Sequence, residues 1–165
     1  MKKNHLIYFL NLKLKLVYIS FTLFIVVHCF TDFTECKSEI NLVIQGKGNI
    51  NILNEFFYLN PSEVIVNGEL KTECTKNCYL YNELNNVTIK FDKQLETLEN
   101  MFNGLNKIIE IDLSNLDTSK VTNMVSMFEQ CSNLEKILFG NINTSSVVNI
   151  HSLFQNCKKL TSLDL

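Results

Sequence analysis

Tryptophan and arginine are absent from the 165 residues, proline occurs once and glycine five times. So little Pro and Gly excludes a collagen-like chain and Pro/Gly-rich disordered material. Without Arg the chain lacks the bidentate side chain that reads bases and phosphates, and its basic residues, all Lys, form no basic patch. Nucleic acid is therefore set aside as a partner. With 46% hydrophobic and 19% charged residues the chain can bury a core, and its length allows about one domain.

Acidic residues are absent before Asp32, whereas Lys2, Lys3, Lys13 and Lys15 precede the most apolar run, Leu16 to Phe30. A basic stretch followed by a short apolar run is the order of a secretory signal peptide, and Val27 and Cys29 suit a cut before Phe30. An uncleaved anchor stays open, although a bilayer-spanning helix needs about 20 apolar residues. A bacterial lipoprotein signal ending on Cys29 is a third route, with His28 standing where Gly or Ala is wanted. Residues 1–29 are thus read as a signal peptide or signal anchor. All three routes lead out of the cytosol, to an extracellular or cell-surface location reached by secretion. Beyond residue 29 there are 11 Lys against 17 acidic residues, a net charge of −6.

From Met101 the chain copies itself at a 26-residue offset, without gaps. Phe102, Phe128 and Phe154 match, as do Ile111, Ile137 and Leu163, Thr118 and Thr144, Val121 and Val147, and Asn123 and Asn149. Each unit carries L-x-x-L-x-L, as in Ile108-x-x-Ile111-x-Leu113, the mark of leucine-rich repeats. Side chains alternate across a strand, so Ile111 and Leu113 should face inward. Val121, Met124 and Phe128 recur at i, i+3 and i+7, as do Val147, Ile150 and Phe154, which predicts a short helix or helical turn.

The expected fold is therefore α/β: a leucine-rich-repeat solenoid over residues 87–165, with units 101–126 and 127–152 and a partial unit 153–165. Residues 30–86 alternate apolar and polar positions over Asn41 to Leu53 and Val87 continues that pattern beyond them. Glu63 to Leu70 holds an Asn-Gly turn signal. They are read as a β-rich N-terminal cap, with a separate ligand-binding domain left open. About three repeats are needed for stability, and Leu165 ends the chain in mid-repeat, so a longer parent protein is expected.

The phrases Ile111-Asp-Leu-Ser-Asn-Leu-Asp-Thr-Ser-Lys-Val-Thr-Asn-Met124 and Ser126-Met-Phe-Glu-Gln-Cys-Ser-Asn-Leu134 resemble the BspA-like leucine-rich-repeat surface proteins of bacteria, mycoplasmas and several protists. The resemblance covers about Val87 to Leu165. It implies a secreted or surface-displayed repeat scaffold, adhesive in some members.

Chemistry-bearing groups are few. Cys74 and Cys78 invite a disulfide in an oxidising compartment, or one of them pairs with Cys36. Cys131 and Cys157 share one repeat position and read as packed thiols. His151 is the only histidine after residue 29, and Val125 takes its place one unit earlier. No phosphate loop or metalloprotease motif occurs. No enzyme activity, cofactor or metal is expected.

Asn86 and Asn143 head N-x-S/T sequons, glycosylation sites in a eukaryotic source. The strand face opposite the core should carry Glu110, Lys136 and Ser162, then Asp112, Leu138 and Asp164, then Ser114 and Gly140. That face is the candidate binding surface. The expected function is a non-catalytic scaffold for protein binding or adhesion to an unidentified protein or cell-surface ligand. Membrane contact is expected only through the N-terminal anchor or a missing C-terminal segment. Alternatives are a structural coat or assembly protein, or the N-terminal fragment of a larger protein whose activity lies beyond Leu165.

Overall fold

In the computed structural model of the protein, residues 38–164 are described; the expected signal or anchor and Cys36 lie outside them. Nine strands run in chain order: β1 (Ser38–Gln45), β2 (Gly48–Asn51), β3 (Glu63–Val66), β4 (Glu69–Leu70), β5 (Asn77–Leu80), β6 (Leu84–Phe91), β7 (Ile108–Asn115), β8 (Lys136–Leu138) and β9 (Ser162–Asp164). Seven of them form one mixed sheet in the order β4-β3-β6-β1-β7-β8-β9, and β2 pairs with β5 in a separate ribbon.

Alternation in the sequence decides which face each strand buries. Ser38, Ile40, Leu42 and Ile44 of β1 point into the core, with Val87, Ile89 and Phe91 of β6 and Val64 and Val66 of β3. The β3–β4 hairpin turns on Asn67-Gly68, whose φ values of 52° and 86° are those a two-residue hairpin loop needs.

β1 is the seam of the sheet. It pairs antiparallel with β6 on one side and with β7 on the other. Beyond β7 the pairing becomes parallel, and Glu110, Lys136 and Ser162 align, as do Ile111, Ile137 and Leu163. The β1–β7 register slips twice. Ile44 faces Ile108 while Val43 faces Glu110, leaving Ile109 as an extra residue. That bulge lets Ile108 and Ile111, three apart, both reach the core, where a regular strand would put them on opposite faces.

The α/β leucine-rich-repeat solenoid expected from the sequence is overturned. Among the described residues there is no helix, and the strands build a mixed seven-stranded sheet. The reason lies in the amides of the segments read as helical. Met124, Ser126, Phe128 and Gln130 donate their N–H groups to the following unit, at Asn149 O, His151 O, Leu153 O and Gln155 O (2.9, 2.9, 3.1 and 2.8 Å). Met127, Glu129 and Cys131 bond three residues back, and Val125 donates to Asn123 Oδ1 (3.0 Å). An α-helix needs each amide to bond four residues back. Ser126 and Gln130 also sit at φ 53° and 61°, left-handed positions that interrupt any helix. The i, i+3, i+7 stripe over Val121–Phe128 is thus a series of tight turns locked to its neighbour.

Phe102, Phe128 and Phe154 stack along these turns, with ring centroids 5.9 and 5.6 Å apart and planes within 8° and 3° of parallel. At the other edge of the first unit, Asn54 donates its backbone N–H to Met101 O (2.9 Å) and its Nδ2 to Asn103 O (2.8 Å).

Candidate functional site

The face of the sheet opposite the core is largely polar because most of the alternate residues of its strands are polar. β6 presents Asn86 and Thr88, β1 presents Asn41 and Val43, β7 presents Glu110, Asp112 and Ser114, and β8 presents Lys136 and Leu138. A groove of about 310 Å³ runs across these four strands, lined by Asn41, Val43, Asn86, Glu110, Asp112 and Lys136 among others. Its walls are amide, carboxylate and ammonium, and half-buried Val43 and Leu138 lend it an apolar floor.

Some of these groups are held in place. Thr88 Oγ1 donates to Asn41 Oδ1 (2.6 Å), and Asn41 Nδ2 donates to Glu39 Oε1 (3.2 Å). Asp112 Oδ1 accepts the Ser114 N–H (2.9 Å). Glu110 and Lys136 are aligned on adjacent strands and both exposed, yet neither makes an ion pair among the described residues. Their charges are therefore open to a ligand.

Of the residues picked from the sequence, Glu110, Asp112, Lys136 and Leu138 come together in this groove. Ser114 lies further along β7, Ser162 extends the Glu110–Lys136 row, and the Asp164 backbone aligns with Leu138. Asn41, Val43 and Thr88 were missed. Their polar phase in β1 and β6 was visible, but nothing local shows that β1 docks beside β7, about 70 residues away in the chain. Asn86, picked as a glycosylation site, is exposed on the groove wall. Asn143 is exposed in a turn, its Oδ1 accepting the Ser145 N–H (3.0 Å), as Asp117 does for Ser119 one unit earlier (2.9 Å).

The other candidates lie apart from the groove. Cys74 and Cys78 are joined in a disulfide beneath the β2–β5 ribbon. Cys131 and Cys157 are free thiols that donate to the carbonyls of Phe102 (3.0 Å) and Phe128 (2.9 Å), each one unit back. Burial pushes the Cys131 thiol up from 9.0 to about 12; the neighbouring Cys157 adds to this, and a hydrogen bond with the Leu105 backbone partly offsets it. Burial raises Cys157 as well. Such thiols are poor nucleophiles. His151 Nδ1 lies 2.9 Å from Ser152 Oγ, but that hydroxyl donates to Gln155 Oε1 (2.6 Å) and so turns its proton away from the imidazole that a catalytic triad would use as base. Among the described residues, no three His, Cys, Asp or Glu side chains gather as metal ligands would.

No curated protein and no solved structure matches the chain. The family described as "Mycoplasma protein of unknown function, DUF285" matches residues 73–164, which takes in the disulfide, β6 and all three repeat strands. That span is more than half of the chain, and the protein belongs to this family.

Proposed function

We propose that the protein is a non-catalytic scaffold displayed outside the cell, which binds a protein or cell-surface ligand through the polar groove of its mixed sheet. The observation that carries this reading is the alignment of Glu110 with Lys136 on adjacent strands, both exposed and without an ion pair among the described residues, over the Val43–Leu138 floor. A ligand that satisfies both charges while covering the floor gains specificity from the charges and affinity from the apolar contact. The resemblance of the repeat phrases to BspA-like surface proteins supports the location, as does the basic-then-apolar order of residues 1–29.

The test is binding of the full chain to intact host or neighbouring cells, read by flow cytometry. Lys136→Glu and Glu110→Lys should each weaken binding several-fold, since each sets like charge against the ligand. Undiminished binding by both variants would remove the groove from the reading.

A further inference from the structure

The β2–β5 ribbon carries an uncharged outer face of tyrosine and asparagine side chains. Its inner side buries Ile50, Cys78 and Leu80. Its outer side presents Asn49 and Asn51 from β2 and Asn77 and Tyr79 from β5, with Tyr81 just beyond the strand end. Asn49 lies directly across from Tyr79, and Asn51 across from Asn77. Tyr79 and Tyr81 are 56% and 71% exposed, and their ring centroids stand 4.8 Å apart, tilted by 56°. Neither hydroxyl, and none of the three amides, has a hydrogen-bond partner among the described residues. The face itself bears no charge. Of the charged side chains on neighbouring segments, Lys47 pairs with Glu83 at 3.1 Å and Lys71 with Glu69 at 2.8 Å, and Lys76 donates to the backbone carbonyls of Glu55 and Phe57.

We propose that this face is a binding site for neutral oligosaccharides, with Tyr79 and Tyr81 as the platform for a pyranose ring and Asn49, Asn51 and Asn77 as hydrogen-bond partners for its hydroxyls. Aromatic faces are electron-rich and attract the partly positive C–H groups on one side of a pyranose. Amides both donate and accept, as sugar hydroxyls do, so an uncharged row of them matches a polyol better than it matches an ion. Tyrosine gives a large contact at small entropic cost. A protein partner would instead insert its anchors into pockets, and this face is a flat two-stranded surface.

The ribbon is also tied down by a disulfide and hydrogen bonds, and pre-organisation of that kind lowers the cost of binding. The Cys74–Cys78 disulfide closes the turn before β5. Within that turn Lys76 O accepts the N–H groups of Ile52 (2.8 Å) and Leu53 (3.1 Å). Lys76 Nζ reaches Glu55 O (2.9 Å) and Phe57 O.

The experiment applies the labelled full chain to immobilised maltohexaose, mannohexaose and chitohexaose, with sialylated and sulfated glycans and gelatin beside them. Retention on at least one neutral hexasaccharide, above the acidic glycans, is expected. Tyr79→Ala and Tyr81→Ala should each weaken it about tenfold or more. Tyr79→Phe should keep most of it, because the ring remains. Lys136→Glu should leave it unchanged, which separates this site from the sheet groove. Should an alanine variant lose its thermal transition, Asn49→Ala and Asn77→Ala carry the test, with a several-fold loss expected. No retention on any neutral glycan overturns the proposal. So does retention that survives the Tyr79→Ala/Tyr81→Ala double variant, or a double variant that loses gelatin binding alone.

Discussion

Replacing Phe128 by alanine removes the middle ring of the three-ring stack that joins successive repeat units. Phe128 is fully buried, lies against Phe102 and Phe154 at 5.9 and 5.6 Å, and meets Phe139 edge-on at 6.5 Å. Truncating a buried Phe to Ala costs about 3–5 kcal/mol. Aromatic neighbours add roughly 0.5–1.5 kcal/mol each beyond area, which places this site toward the upper end. Phe154 is half-buried, with Phe128 and Phe139 as its ring neighbours, so Phe154→Ala should cost only about 1–2 kcal/mol. Urea unfolding of the full chain measures both. With a slope of about 2 kcal/mol per molar, Phe128→Ala should lower the midpoint by about 2 M and Phe154→Ala by less than about 1 M. If total stability is near the low end of about 5–15 kcal/mol, Phe128→Ala will be unfolded outright. Phe128→Leu then supplies the same ordering at smaller cost. Equal losses at the two positions, or a loss below about 1.5 kcal/mol at Phe128, would refute the stacked core.

Three further outcomes are expected. Reducing the Cys74–Cys78 disulfide reopens a five-residue loop and should cost about 2 kcal/mol, with faster hydrogen exchange at Ile52 and Leu53, whose amides rest on Lys76 O; unchanged exchange there would count against the coupling. Gly140 has φ 58°, and a Cβ on it would lie 2.7 Å from the Cα of Ser114, a backbone atom that no side-chain rotation can move. Gly140→Ala should therefore destabilise by more than about 1 kcal/mol in thermal melts, and Ser114→Gly should relieve this only in part. The Cys131 thiol is raised from 9.0 to about 12 in the folded state, so its contribution to stability is whole below pH 9 and is lost as pH rises toward 12. Stability measured against pH should fall more steeply over that window for the natural chain than for Cys131→Ala; parallel curves would refute it.

What could be read in advance differs from element to element. The strands β7, β8 and β9 are legible because Ile111, Ile137 and Leu163 repeat in phase, and like residues at a fixed period stack in register. The Asn67-Gly68 hairpin is legible because few residue pairs tolerate two positive φ values in succession. The short helix or helical turn expected over Val121–Phe128 and again over Val147–Phe154 does not form. Periodicity alone cannot separate a helix from turns whose buried residues also recur three and four apart. What decides is where the amides go, and the partners of Met124, Ser126, Phe128 and Gln130 lie in the next unit.

The groove shows the same division. Glu110, Asp112, Lys136 and Leu138 are placed by repeat phase, so the sequence alone puts them on one face. Asn41, Val43 and Asn86 join them only because β1 inserts between β6 and β7, with Ile109 bulged out to reconcile the registers. The outer face of β5 was open to reading as well, since Tyr79 and Tyr81 are two apart, but its Asn49 and Asn51 neighbours come from a strand about 30 residues earlier. The sequence by itself thus determined the 26-residue register, the inward and outward phase of each strand and the hairpin turn, all of which follow from local sterics and alternation. Tertiary structure decided the mixed sheet, the absence of helix among the described residues and the membership of both candidate surfaces, because those depend on backbone hydrogen bonds and docking between segments that are remote in the chain.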